Sequence, residues 1–325
     1  MNLDEIRLKI KEKGSFEVRT SGNANNNDID KLLANEGIKR QADDIPKQDT
    51  KSKNGNLIKG NINNTFIPTT IETKSVYKIS SATRPNIIHD KGFSNFPKRE
   101  PTIDDYLALY KWTAMLEGAS LLRPDLADGV AAYSHFLNGG GKTRTFSYER
   151  YVMNDLSGRV TLRNAILDAQ NAAIELWINN GEPEKFFLSG PIIPCGSSNP
   201  KYQFIRKAFP YPATENWQKA IGAHVIWVSA NVTVTKPGLV IKEPIFKMNF
   251  TLHAEDQYNF NPGMTDIVTG IPDDENGSFV VVGFAHGYLN TSILKRSFSW
   301  KGFDLGVAKM GISKISVARK PNKKR

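Results

Sequence analysis

A chain of 325 residues, 39% hydrophobic and 23% charged, is long enough to bury one large core or two small ones. No run of about 18 apolar residues occurs, so no stretch reads as a membrane-spanning helix. Cys195 is the single cysteine, which excludes a disulfide framework and a zinc–thiolate cluster. The formal charge of +10 is concentrated at one end: between Lys309 and Arg325 there are seven basic residues and no acidic ones. That is a solvated tail suited to an anionic surface such as lipid headgroups, and not the basic, aromatic-studded face of a nucleic-acid reader.

The start, Met1 to Ile6, lacks an apolar stretch after a basic one, so it does not read as a secretory signal peptide, and export is expected by another route. Leu3, Ile6, Leu8 and Ile10 suit a short helix or docking peptide. Residues 21–65 turn to Asn, Asp, Lys and Gly, too polar to offset their ordering entropy, and read as a linker. Residues 66–101 read as an extended, Pro-punctuated stretch packing on the core. Residues 1–100 together form a polar arm for delivery or partner binding, 101–310 the core, and 311–325 a basic tail.

The core opens on Pro101-Thr102-Ile103-Asp104-Asp105, with Thr102 as N-cap and acids in the first turn of a helix running to about Glu117. A second helix follows Pro124-Asp125, carrying Leu126, Val130, Tyr133, Phe136 and Leu137 at helical spacing, and stops at Gly139-Gly140-Gly141. That glycine run precedes Lys142 but has no strand feeding it and no Ser/Thr-bearing helix in register after it, so it reads as a helix stop and not as a phosphate cradle. A third helix covers 160–179 and ends at Asn180-Gly181. After Gly190, segments 225–234, 239–241, 246–252, 279–284 and 295–300 are rich in β-branched and aromatic residues and separated by turns. Helices over 101–190 and strands over 191–310 predict an α+β fold, the helices packed beside a curved, antiparallel, barrel-like sheet.

No Gly-x-Ser-x-Gly, His-Glu-x-x-His, Walker loop or dinucleotide fingerprint is present. His135 and His224 lie in apolar company and read as satisfied core or boundary residues; His253 and His286 lie nearer the polar cluster. That cluster is Asp256-Gln257-Tyr258-Asn259-Phe260-Asn261-Pro262-Gly263, followed by Asp266 and by Asp273-Asp274-Glu275-Asn276-Gly277. Carboxylates, a phenol and amides converging after the strand 246–252, in a connection too long for a tight hairpin, mark either a functional loop or an Asx-rich turn capping its own backbone.

Here the sequence resembles the colicin M-like, lipid II-degrading bacteriocins, in which an Asp-x-Tyr-Asp motif at a strand end opens the catalytic loop and a His-Arg pair follows. The likeness begins at residues 130–141, similar to the family's helix ending in an aromatic-Leu-x-Gly-x-Gly turn, and extends to about residue 270. The run 258–277 with Arg296 and Trp300 also resembles toxin-like effectors of contact-dependent and contractile secretion systems. Asp256 and Tyr258 occupy the first and third places of the motif; Asn259 stands where the family has its second Asp, and no His-Arg pair follows in this loop.

The resemblance implies a toxin that cleaves the phosphodiester of lipid II, the lipid-linked peptidoglycan precursor. Asp256 would bind magnesium or act as base, and Tyr258 would hydrogen-bond a phosphate oxygen, with Asn259 and Asp266 completing the site. For the missing cation our own reading turns to Arg296 or Lys295, and for the missing acid to Asp266 or His286. Such a toxin would be made in the bacterial cytoplasm and act in the target periplasm. Its partners would be lipid II or the inner-membrane surface, a cognate immunity protein, and a secretion apparatus met through the N-terminal arm. The competing expectation is a non-enzymatic, membrane-active or pore-forming effector on the same fold.

Overall fold

The computed structural model describes residues 77–302, except 239, 242, 267 and 268. The docking peptide, the 21–65 linker and the basic tail lie outside the described residues. The protein is α+β: six α-helices stand beside one mixed, seven-stranded sheet that is open, not closed.

Its elements are β1 (Lys78–Ile79), α1 (Ile103–Leu122), α2 (Ala127–Asn138), β2 (Arg144–Thr145), α3 (Tyr148–Asn154), α4 (Leu156–Asn179), β3 (Lys185–Ser189), β4 (Ile193–Cys195), α5 (Glu215–Ala220), β5 (His224–Thr235), β6 (Ile245–Tyr258), α6 (Asp274–Val281) and β7 (Tyr288–Lys301). The strand order is β1-β3-β5-β6-β7-β2, with β4 also paired to β5. Every pairing is antiparallel except the edge pair β2–β7, which is parallel.

The long strands alternate as a half-buried sheet must. On β6, Phe246, Met248, Phe250, Leu252 and Ala254 face inward and are buried, while Lys247 and Asn249 face out. The inward row packs with Ala165, Ala169, Ala173 and Trp177 of α4, and with Tyr148 and Tyr151 of α3. Burying each Leu- or Phe-sized side chain contributes about 1.5–3 kcal/mol, so this row dominates the sheet's attachment to the helices. A second cluster lies beyond the end of the β6–β7 pair, around Phe136 of α2, Phe279 and Val280 of α6, Ala285 and Tyr288.

Helix α1 starts as the sequence predicts: Thr102 accepts from the Asp105 backbone N–H and the Asp105 carboxylate accepts from Thr102 N, a capping box. The third helix begins at Leu156 rather than near 160, because Asp155 caps it by accepting from Ser157 N at 2.8 Å. Two expected strands are absent. Residues 240–241 belong to the β5–β6 connection, where Gly238 N–H donates to Ile241 O. Within 279–284, Phe279, Val280 and Val281 are the last turns of α6. A four-residue apolar run carries no period, and here the acids Asp274 and Glu275 in the first turn and the aromatic cluster beneath make it helical.

Candidate active site at the end of the central strands

Strand β6 runs six residues further than its apolar pattern predicts, through Asp256 to Tyr258, because β7 pairs with it throughout: Asp256 opposes Asn290 and Tyr258 opposes Tyr288. The period of two puts Asp256 and Tyr258 on the core-facing side, in line with Leu252 and Ala254. Tyr258 stacks on Tyr288 with ring centroids 5.0 Å apart, and Phe136 and Phe260 border it.

Asp256 is buried. Burial first, and then the charge of Asp90, push its carboxyl well above the usual carboxylate range, opposed by a hydrogen bond from Asn290. The Asn290 side chain is fully enclosed; its Nδ2 donates to Ala220 O at 3.1 Å, and its Oδ1 accepts from Arg144 Nη1 at 3.2 Å. Arg144 thus reaches the Asp256–Asn290 pair from the edge strand β2, and no carboxylate pairs with it among the described residues. Burial keeps the Tyr258 phenol well above its ordinary value, so it stays a hydrogen-bond donor.

The frame around the site is polar but satisfied. Asp155, wholly buried, accepts from Ala213 N, Thr214 N and Thr214 Oγ1 as well as Ser157 N, pinning the approach to α5, whose last residue supplies Ala220 O. Tyr211 sits between acids: burial, then Asp266, Asp256 and Asp273, push its phenol up to about 12. The Asn259 amide donates to Asp90, in the segment joining β1 to α1.

The sequence-predicted residues divide accordingly. Asp256, Tyr258 and Asn259 stand together at the strand end. Asp266 shares with Asp256 only an electrostatic effect on the Tyr211 phenol; it is tied to Lys219 at 2.7 Å and caps Thr269, and its carboxyl is lowered because those bonds outweigh burial. His286 is exposed at the start of the β7 segment, where its backbone N–H donates to Phe136 O. Arg296 is not brought to Asp256. It opposes Phe250, six residues along β7 from Asn290 and so roughly 20 Å away at the rise of a strand. Its Nη2 donates to both carboxylate oxygens of Glu149, at 2.8 and 2.7 Å. Together with Lys295 it lines a separate cleft of about 690 Å³, bordered also by Trp227, His253 and Ile293, which neither Asp256 nor Tyr258 lines.

Sequence reading missed Arg144, Asn290 and Asp90. Arg144 follows the glycine turn in a segment without apolar period, and only strand pairing places it. Among the described residues no three His, Cys, Asp or Glu side chains converge as a cation site, and burial favours the neutral form of Asp256.

No family model and no curated protein matches this chain. Among solved structures it is similar to PaeM, a colicin M-like bacteriocin produced by Pseudomonas aeruginosa, at 14% identity and a TM-score of 0.32. The match covers 55% of this chain and 52% of that one, so the chain spans about half the length of that bacteriocin, and a likeness at that score decides nothing about activity.

Proposed function

We propose that this chain is an antibacterial toxin that hydrolyses the phosphodiester of lipid II at the periplasmic face of the target membrane. One observation carries the reading: Asp256, a buried acid whose surroundings favour its neutral form, is hydrogen-bonded by Asn290, which in turn accepts from Arg144, a guanidinium with no carboxylate partner among the described residues. An anion is the natural occupant beside such a cation, and a guanidinium fork matches two phosphate oxygens. Arg144 would hold the nonbridging oxygens, Tyr258 would donate to a third, and Asp256 would protonate the departing oxygen. His286, which is exposed, would meet the substrate's sugars or diphosphate. A toxin of this kind needs an immunity protein in its producer and an exporting apparatus; the arm before residue 77 would meet the latter.

A second reading has its own observation. Along α1, Ile103, Leu107 and Leu121 fall on one helical stripe and are exposed, Leu121 at 82%, a face suited to a lipid surface in a non-enzymatic, membrane-active effector. No described helix is long and apolar enough to cross a membrane. Purified protein incubated with lipid II in detergent micelles, with and without magnesium, separates the two. The enzyme releases the pyrophosphorylated headgroup, and Asp256→Asn lowers the rate at least a hundredfold, the scale of a lost general acid. Killing from the periplasm without any release would leave the membrane-active reading instead.

A further inference from the structure

We propose that Asp90, brought by the segment between β1 and α1, is the second catalytic carboxylate of this site and takes the proton of the attacking water. The inference rests on the hydrolytic reading above.

The segment is tied to the end of β6 at successive points. Arg84 forks onto Glu255 with both bonds at 2.7 Å, and His89 Nε2 lies 3.3 Å from the same carboxylate. Asn259 Nδ2 donates to both the carbonyl and the carboxylate of Asp90. Phe93 N–H donates to Phe260 O at 3.2 Å. Gly92 has φ +46°, and a Cβ there would lie 2.2 Å from Phe260 O, so only glycine lets the two backbones approach so closely. The carboxylate of Asp90 is therefore held in place, although the residue is exposed to water.

That carboxylate has no cation partner among the described residues; its recorded bond is to the Asn259 amide. Its charge lies close enough to Asp256 to add to burial in raising that carboxyl. A buried acid favoured in its neutral form and a water-facing carboxylate held at the same strand end by Asn259 are the two parts an acid–base pair requires. Asn259 cannot accept a proton at its amide, whereas the carboxylate it holds can.

The step balances. The water oxygen bonds to phosphorus while its proton passes to Asp90. The bond from phosphorus to the leaving oxygen breaks, its electron pair stays on that oxygen, and the Asp256 proton goes to it. Solvent then returns a proton from Asp90 to Asp256, and one water is consumed.

The test is headgroup release from lipid II by the full chain. Asp90→Asn should cut kcat at least a hundredfold with KM within about threefold, and should remove the acidic limb of the rate–pH profile. Asn259→Asp added to it returns a carboxylate to the contacting position and should recover at least tenfold of the loss. Asp90→Asn turning over within threefold of wild type overturns the assignment while leaving the hydrolytic reading intact. So does a double variant as inactive as Asp90→Asn when both melt like wild type. A wild type inert towards lipid II, with no headgroup released, overturns both.

Discussion

Glu255 and Asp256 are neighbours in sequence, and the pleat sends them to opposite faces of the sheet with opposite fates. On the outer face Glu255 is buried, yet Arg84 and His89 outweigh the burial and lower its carboxyl, so it keeps its charge and spends it on anchoring the β1–α1 segment. Beside it His253 lies flat on Trp227, ring centroids 3.7 Å apart, and burial lowers its imidazole to about 4. On the inner face no cation is bonded directly to Asp256 among the described residues, and burial and then Asp90 raise its carboxyl. The outer acid stabilises the fold through its ion pair, whereas burial of the inner one opposes its charge.

The largest effect that would sharpen this contrast is on turnover. Arg144→Ala should slow headgroup release by about a hundredfold or more, as expected for losing a group that stabilises transition-state charge. Arg296→Lys, which perturbs only the Glu149 pair, should stay within threefold; the reverse ranking would move the phosphate clamp back to Arg296.

An intermediate effect concerns the anchor. Gly92→Ala forces a side chain into the Phe260 carbonyl at a positive φ and should cost about 1–3 kcal/mol of stability in urea unfolding. Gly118→Ala, mid-helix in α1 with open space around it, serves as the control and should gain about 0.5–1 kcal/mol. Equal effects at the two glycines would mean that the segment is not clamped against Phe260.

The smallest effect has the clearest sign. Because the folded protein raises the Asp256 carboxyl above its unfolded value, the fold favours the protonated form, and stability is lost as pH rises from the unfolded value of about 4 towards the folded one. Asp256→Asn removes that penalty, so its Tm should exceed wild type at pH 7 and converge with it as pH falls to about 4. Thermal melts across that range decide it; a Tm lowered at pH 7 would show the carboxylate to be structural.

The helices were the most legible part of the fold, because α1, α2 and α4 each carry local start and stop signals: the Thr102 capping box, the glycine turn at 139–141 and Asn180. The turn takes its left-handed form at Gly140 and Gly141, where φ is +60° and +76°. The short elements β2, β3, β4 and α5 were not legible, since two to six residues cannot show a period and form only against partners already in place. The candidate site divides in the same way. Asp256 and Tyr258 were singled out through their resemblance to a family motif, while the strand that carries them was read as ending at Leu252 and continues to Tyr258. Arg144, Asn290 and Asp90 lie 112, 34 and 166 positions from Asp256.

Local chemistry thus determined the α+β class and the long helices, because each depends on backbone geometry within a few residues, whereas the acid–phenol pair was picked out by resemblance to a family motif. Which cation faces that pair was decided only by the parallel docking of β2 against β7, which aligns Arg144 with Asn290. Which second acid approaches it was decided by the Glu255 anchor and by the glycine at position 92, which allows two backbones to meet. Arg296 and Arg144 carry the same guanidinium; pairing register bonded one to Asn290, opposite Asp256, and gave the other to Glu149.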